Sequence, residues 1–241
     1  MHSGFYVTLS GQMAIDKRLT TVATNVANMN TVGYRASEIS FQALLSKAGD
    51  KPVAFASSGQ TYISRQSGTL IRTDNPLDIA VQGDGWLAIQ TPAGTVYTRD
   101  GRMRMQASGA LETINGHPVL DAGNTAILLD PDAGAPTISR DGMITQSGRQ
   151  IGAVGLFRID ASAKLKRYEN SGVIPDKPAV PVLEFDSNGV AQGHIEGANV
   201  NPVMEMAKLM MLSRTFETIN ATQQSAETAQ KDAIKTLGSS S

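Results

Sequence analysis

The sequence predicts an α+β protein in which long N- and C-terminal helices pack as a coiled-coil-like pair, with a central mainly β domain between them. Three observations carry that prediction. Apolar residues recur at alternating steps of four and three near the N-terminus, and the same kind of seam returns near the C-terminus. From about Thr69 to Glu196 no long helical period is visible, and short apolar runs alternate with glycine turns. The C-terminal pattern is too long to stand alone in water, so it requires a helical partner. The expected segments are 1–35, an N-terminal helical stretch; 36–68, an extended connector; 69–197, a central β-rich domain; and 198–241, a long helix pairing with the first.

In chain order, the N-terminal seam is Ile15, Leu19, Val22, Val26 and Met29. It runs into the stretch TNVANMNTVGYR, Thr24 to Arg35, which ends in amides, a glycine and an exposed-looking Tyr34. Gly33 is expected as a left-handed helix stop. Asn25, Asn28 and Asn30 are poor helix formers unless their side chains have a local task, either capping this helix end or bridging to an adjacent chain. The expected strands include LDIAVQ, GWLAIQ, TVYTR, ALETI and AVGLFRI, separated by RDG, SGA, NGH and SNG turns. The phrases TRDGRMRMQASGAL and SRDGMITQSGRQIG are alike, which predicts one hairpin-like unit used twice. Asn201 is placed to cap the last helix and Pro202 to occupy its first turn, where a missing N–H costs nothing. From there the seam runs through Leu209, Leu212, Phe216, Ile219, Ala226, Ala233 and Leu237, with Gln223 and Gln230 at the intervening positions. That helix would span about 50 Å at about 1.5 Å per residue. Met204, Met206, Met210 and Met211 form an adaptable packing surface at its start.

Composition narrows the function. With 241 residues the chain can bury a sizeable core, and a net charge of −1 with pI near 6.3 gives no basic footprint for nucleic acid or an anionic membrane. There is no cysteine, hence no disulfide, thiolate metal site or cysteine nucleophile. No cleavable secretion signal and no membrane-spanning run is expected. Gly83, Gly85 and Ala88 in AVQGDGWLA match a nucleotide fingerprint, but strand and turn come next where a dinucleotide site needs a helix. His2, His117 and His194 are scattered, and Asp130 to Gly134 lacks the later ligands of a calcium loop. No G-x-S-x-G elbow occurs. The residues therefore suggest no enzyme, no catalytic or metal-binding residue and no cofactor or small-molecule substrate. A soluble nucleotide binder using Gly83 and Gly85, and a surface stalk or adhesin, are the readings of other classes.

NVANMNTVGYR resembles the N-terminal signature of the flagellar rod and hook proteins, a helix followed by ANxNTxGYR/FK. LDIAVQGDGWLAIQTPAGTVYTRDG is similar to their central block, and GANVNPVMEMAKLMMLSRTFETI to their C-terminal signature, down to the pair Phe216 and Glu217. Met29, Tyr34 and Trp86 stand where Val, Phe and Phe are common, each keeping the chemical type. The short chain and compact β region set it nearest the proximal rod type, with a distal rod or hook-type axial protein as the alternative. The resemblance implies a structural subunit of the basal-body rod that polymerises through its terminal helices into a torque-transmitting shaft. It implies self-association, other rod proteins and the flagellar type III export apparatus as partners, and a place in the periplasmic rod reached without signal cleavage. The subunit interface it implies comprises Ile15, Leu19, Val22, Val26, Met29, Asn25, Asn28, Asn30, Met206, Leu209, Leu212, Phe216 and Ile219.

Overall fold

The computed structural model describes residues 2–41, 43–46, 53–57 and 59–238, with side chains defined from residue 8 onward except at 43–46, 53–56, 226, 230, 233, 234 and 237. The chain forms two compact units, one built from segments within 1–26, 37–61 and 201–241, the other from 27–36 and 62–200. The first holds helix α1 (His2–Ala27), strands β1 (Ser37–Ser40), β2 (Ala43–Ser46), β3 (Val53–Ala56) and the first half of β4 (Gln60–Ile63), and helix α2 (Pro202–Gly238). β1 pairs with β4, and β2 with β3 in antiparallel register, Leu44 opposite Phe55. These four strands lie in the stretch read as an extended connector.

The start of α2 follows its sequence signal. Asn201 Oδ1 accepts the Met204 N–H at 3.1 Å, and Pro202 is the first helical residue, so an orphan donor of the first turn is satisfied. The two helices pack together: Gln12 Nε2 donates to Asn220 Oδ1 at 2.8 Å, and Asn25 Nδ2 to a Glu205 carboxylate oxygen at 3.2 Å. Low partners on one helix meet high partners on the other, so the pair is antiparallel. Among the described residues, Ala14, Val22 and Leu212 are its buried apolar side chains.

The second unit is built from β5 (Leu70–Arg72), β6 (Ile79–Gln82), β7 (Gly85–Thr91), β8 (Gly94–Thr98), β9 (Met103–Met105), β10 (Leu111–Thr113), β11 (Thr137–Ile138), β12 (Met143–Gln146), β13 (Arg149–Ala153), β14 (Leu156–Arg158), β15 (Leu165–Tyr168), β16 (Gly172–Pro175), β17 (Val180–Pro181), β18 (Gly189–Gln192) and β19 (His194–Glu196). Its largest sheet has six strands in the order β15-β16-β8-β7-β14-β17. β7 is central and buried on both faces: Leu87 and Ile89 enter a core with Ile79, Val96, Leu111 and Ile144, while Trp86 points the other way to Ile63, Ile159 and Val173. The two-residue side-chain period of a strand produces this division.

The repeated phrases both form hairpins. β9 and β10 pair with Met105 opposite Leu111, and β12 and β13 with Gln146 opposite Arg149. Each opens on the same turn device, in which Asp100 Oδ1 accepts the Arg102 N–H at 3.2 Å and Asp141 Oδ1 accepts the Met143 N–H at 3.1 Å. AVGLFRI, expected as one strand, instead spans the last residue of β13 and the whole of β14. The chain bends at Gly155, where an added Cβ would lie 2.5 Å from the Asp121 backbone.

Candidate subunit interface

The expected interface residues fall into distinct environments. On α1, Val22 is buried, while Ile15, Leu19 and Val26 are half-buried; Met29, beyond the helix end, is half-buried too. On α2, Leu212 is buried, Leu209, Phe216 and Ile219 are half-buried, and Met206 is exposed. Ala226, Gln230, Ala233 and Leu237 lie on the helix with side chains outside the described residues. A seam half covered within one chain keeps apolar area for a further partner. The methionines supply more of it: Met204, Met206, Met210 and Met211 are all exposed, with Val203 beside them at 76% exposure. Met210 and Met211 line an open groove of about 490 Å³ along α2 together with Arg214, Thr218 and Ile219. A run of exposed large apolar side chains on one helix is costly in water and marks an interaction surface.

The amides of the opening stretch divide by task. Asn25 is buried and works like a backbone group: its Nδ2 donates to Ser37 O and its Oδ1 accepts the Ser37 N–H, both at 2.9 Å, fixing the first residue of β1. Its further bond to Glu205, itself held by Lys208 Nζ at 2.6 Å, ties α1 to the first turn of α2. Asn28 organises the turn after the helix, accepting Thr31 N–H at its carbonyl at 3.0 Å and Thr31 Oγ1 at its side chain at 3.2 Å. Asn30 is exposed.

Two expectations for this stretch are corrected. Helix α1 ends at Ala27, so Gly33 is not its stop. Gly33 has φ +69°, and a Cβ there would lie 2.2 Å from Asp100 N, so glycine is required by both backbone conformation and close approach of another chain segment. Tyr34 is not exposed but fully buried, with the Arg167 guanidinium 4.4 Å above its ring. The hydrophobic body of tyrosine is buried here by residues far away in sequence, which no local pattern reveals.

Beside Tyr34 lies a buried charged node that sequence reasoning missed. Arg35 Nη2 lies 2.8 Å from Glu196 Oε1, and Arg99 Nη1 lies 3.1 Å from Glu196 Oε2, all three side chains being at most 2% exposed. Arg35 and Arg99 also hold their guanidinium carbons 5.7 and 5.2 Å from the Trp86 ring, in cation–π range. Burial lowers the pKa of Arg35 to about 10, with Arg99 adding repulsion and Glu196 opposing; burial lowers Arg99 as well. Arg35 stays charged at neutral pH. Glu196 also accepts the Gly68 N–H at its side chain and the Gly33 N–H at its carbonyl. Asn199 completes the clasp, accepting the Ala36 N–H at 2.6 Å and donating to Ser64 and Gln66. Segments 33–36, 64–68 and 196–199 are thereby fastened to one another. The arginines of GYR and of the first RDG phrase were visible as motif letters, but their common partner was not.

The nucleotide alternative fails on geometry. Gly83 lies in the β6–β7 turn and Gly85 opens strand β7, with no helix N-terminus to meet a pyrophosphate. Asp130 forms a local turn, its Oδ1 accepting the Asp132 N–H at 3.0 Å. Among the described residues no His, Asp and Glu cluster is arranged to hold a metal, and no helix is long and apolar enough to cross a membrane.

Three family models match the chain: Flagella basal body rod protein over residues 5–35, Flagellar hook protein FlgE/F/G D1 domain over 80–146, and Flagellar basal body rod FlgEFG protein C-terminal over 191–236. They fall on the helix and amide turn, on strands of the β unit, and on the Glu196 clasp with α2. The chain is 49% identical to the flagellar basal-body rod protein FlgF of Mesorhizobium japonicum and 44% identical to that of Rhizobium meliloti, in each case over 100% of both chains. It is 30% identical to the FlgF of Caulobacter vibrioides over 99% of both. The capped and partnered terminal helices, the glycine-dependent turn and these full-length matches agree: the chain belongs to the FlgF family of flagellar basal-body rod proteins, structural and non-enzymatic subunits of the rod.

Proposed function

We propose that this rod subunit polymerises through its terminal helices into the axial shaft that transmits torque, in the proximal part of the periplasmic rod. The observation that carries this reading is the exposed apolar row Val203, Met206 and Met210 on a helix whose other side is already spent on α1. Head-to-tail contacts of such a surface that do not close on themselves generate a helical array. The contacts proposed to build it are Ile15, Leu19, Val22, Val26 and Met29 from the N-terminal segment, and Met206, Leu209, Leu212, Phe216 and Ile219 from the C-terminal one. Asn28 and Asn30 extend the contact at the corner after α1. In this arrangement residues 69–197 act as the β body between helical ends 1–35 and 198–241. Its partners are further copies, other rod proteins and the type III export apparatus.

The test places a charge on the exposed row without touching the buried one. Met206→Asp with Met210→Asp should leave export and the melting of the free subunit unchanged, while incorporation into purified basal bodies and swimming are lost. Normal swimming of this variant would rule out α2 as the polymer contact.

A further inference from the structure

The β unit contains a cavity of about 380 Å³ lined by Arg65, Asp84, Trp86, Arg99, Arg158 and Asp160, among others. Through Arg99 it borders the buried charged node, and Asp84 on its wall stands with Glu196 against the charges of Arg35 and Arg99. Two arginines, Arg35 and Arg99, share one buried carboxylate, Glu196. Arg99 places its two terminal nitrogens on Glu196, Val81 O and Gly83 O, but its buried Nε has no hydrogen-bond partner. The Arg35 guanidinium, close to Glu196 in distance, lacks hydrogen-bond alignment at all three nitrogens. Buried donors left without acceptors are costly unless an anion or polar group compensates.

The outer wall points to the same chemistry. Arg65 is held rigidly, its guanidinium donating to the carbonyls of Ile159, Asp160 and Ala163. Asp160 is already occupied by Ser162 and by Lys177 Nζ at 3.8 Å. Arg158 projects from β14 as an exposed side chain and makes no ion pair among the described residues. A small anion entering here meets the exposed Arg158 and the buried Arg99, in a lining that also holds Trp86 and the carboxylate of Asp84.

We propose that this cavity is a binding site for a carboxylate group, with Arg158 as its accessible charged contact and the Arg99 side chain as its buried wall. Two sources offer that group, a small free carboxylate and an acidic side chain of a protein neighbour. The planar fork of a guanidinium suits both.

The protein carries its own probe, because Trp86 is the only tryptophan in the chain and lies against both buried arginines. The full-length subunit is titrated with sodium acetate, and separately with the neutral-ended peptide acetyl-Gly-Glu-Gly-amide, against sodium chloride at matched ionic strength. Trp86 emission should change saturably with a carboxylate and not with chloride. Arg158→Ala should weaken the response about tenfold, in keeping with loss of one charge-assisted bond. Arg149→Ala, which removes an exposed charge of the same sign that does not line the cavity, should leave it unchanged. Tighter binding of the peptide than of acetate identifies a protein side chain as the source, and binding of acetate alone identifies a free carboxylate. No saturable change with either probe, or an equal response in Arg158→Ala shown by its melting to be folded, would overturn the proposal.

Discussion

Each unit of the molecule uses a buried glutamate to fasten chain segments together, and the surroundings of the two differ. Glu196 in the β unit is sealed by two arginines and backbone donors, its side chain 1% exposed, and it closes a structure whose core strands are covered on both faces. Glu205 in the helical unit is bonded to Asn25 and to a half-exposed Lys208, and it sits among methionines that face water. The β unit encloses a large apolar core, while the helical unit leaves Val203, Met204, Met206, Met210 and Met211 exposed along one helix. The difference teaches that burial alone does not separate a fold from an interface. What separates them is whether the apolar surface beside the buried polar group is finished within the chain.

Several changes would sharpen or break that contrast, and Trp86 fluorescence with far-ultraviolet circular dichroism reads the two units separately. The largest effect on the free subunit is expected from Glu196→Ala, which leaves two buried arginines without their carboxylate. It should destabilise the β unit by about 3–5 kcal/mol in denaturant titrations followed by Trp86. A loss below about 1 kcal/mol would mean that the node is not the fastening described. Gly33→Ala comes next, since it forces a side chain into the Arg99–Asp100 backbone at φ +69°. A cost of about 1–3 kcal/mol is expected from conformation alone, with the contact adding to it.

Smaller effects belong to the helical unit. Asn201→Ala removes the cap of α2 and should cost about 1 kcal/mol of helix stability, read as lost ellipticity on warming while the Trp86 transition stays put. Replacing Asn28 and Asn30 together with alanine should cost the free subunit no more than about 1 kcal/mol, yet reduce incorporation into rods sharply if the pair bridges chains. Normal incorporation would leave Asn28 as the organiser of a local turn. The smallest change in stability, within about 0.5 kcal/mol, is expected for Met210→Ala on the exposed row. Hydrogen exchange gives the same contrast without mutation: amides of α2 in the isolated subunit should exchange faster than those of β7 and β8. Equal protection would show that the helical unit is as self-sufficient as the β unit.

Some of this architecture was legible in the residues themselves. The cap at Asn201 and Pro202, the paired terminal helices, the two RDG hairpins and the turn at Gly83 all rest on interactions within a few residues or on a repeating period, and both kinds of signal survive in a linear string. The resemblance of three separated motifs to the rod and hook proteins likewise needs only order and spacing. Tyr34, Arg35, Arg99 and Glu196 are different. Nothing near Tyr34 says that Arg167 covers it, and nothing near Glu196 says that arginines from 97 and 161 positions earlier converge on it. Asn25 read as part of a polar cluster at a helix end, and only folding brings the Ser37 backbone into reach of its amide. Local backbone preference and amphipathic period belong to the sequence by itself. Which charges share a partner, and which apolar faces are left uncovered, depends on distances between segments that only the tertiary structure sets.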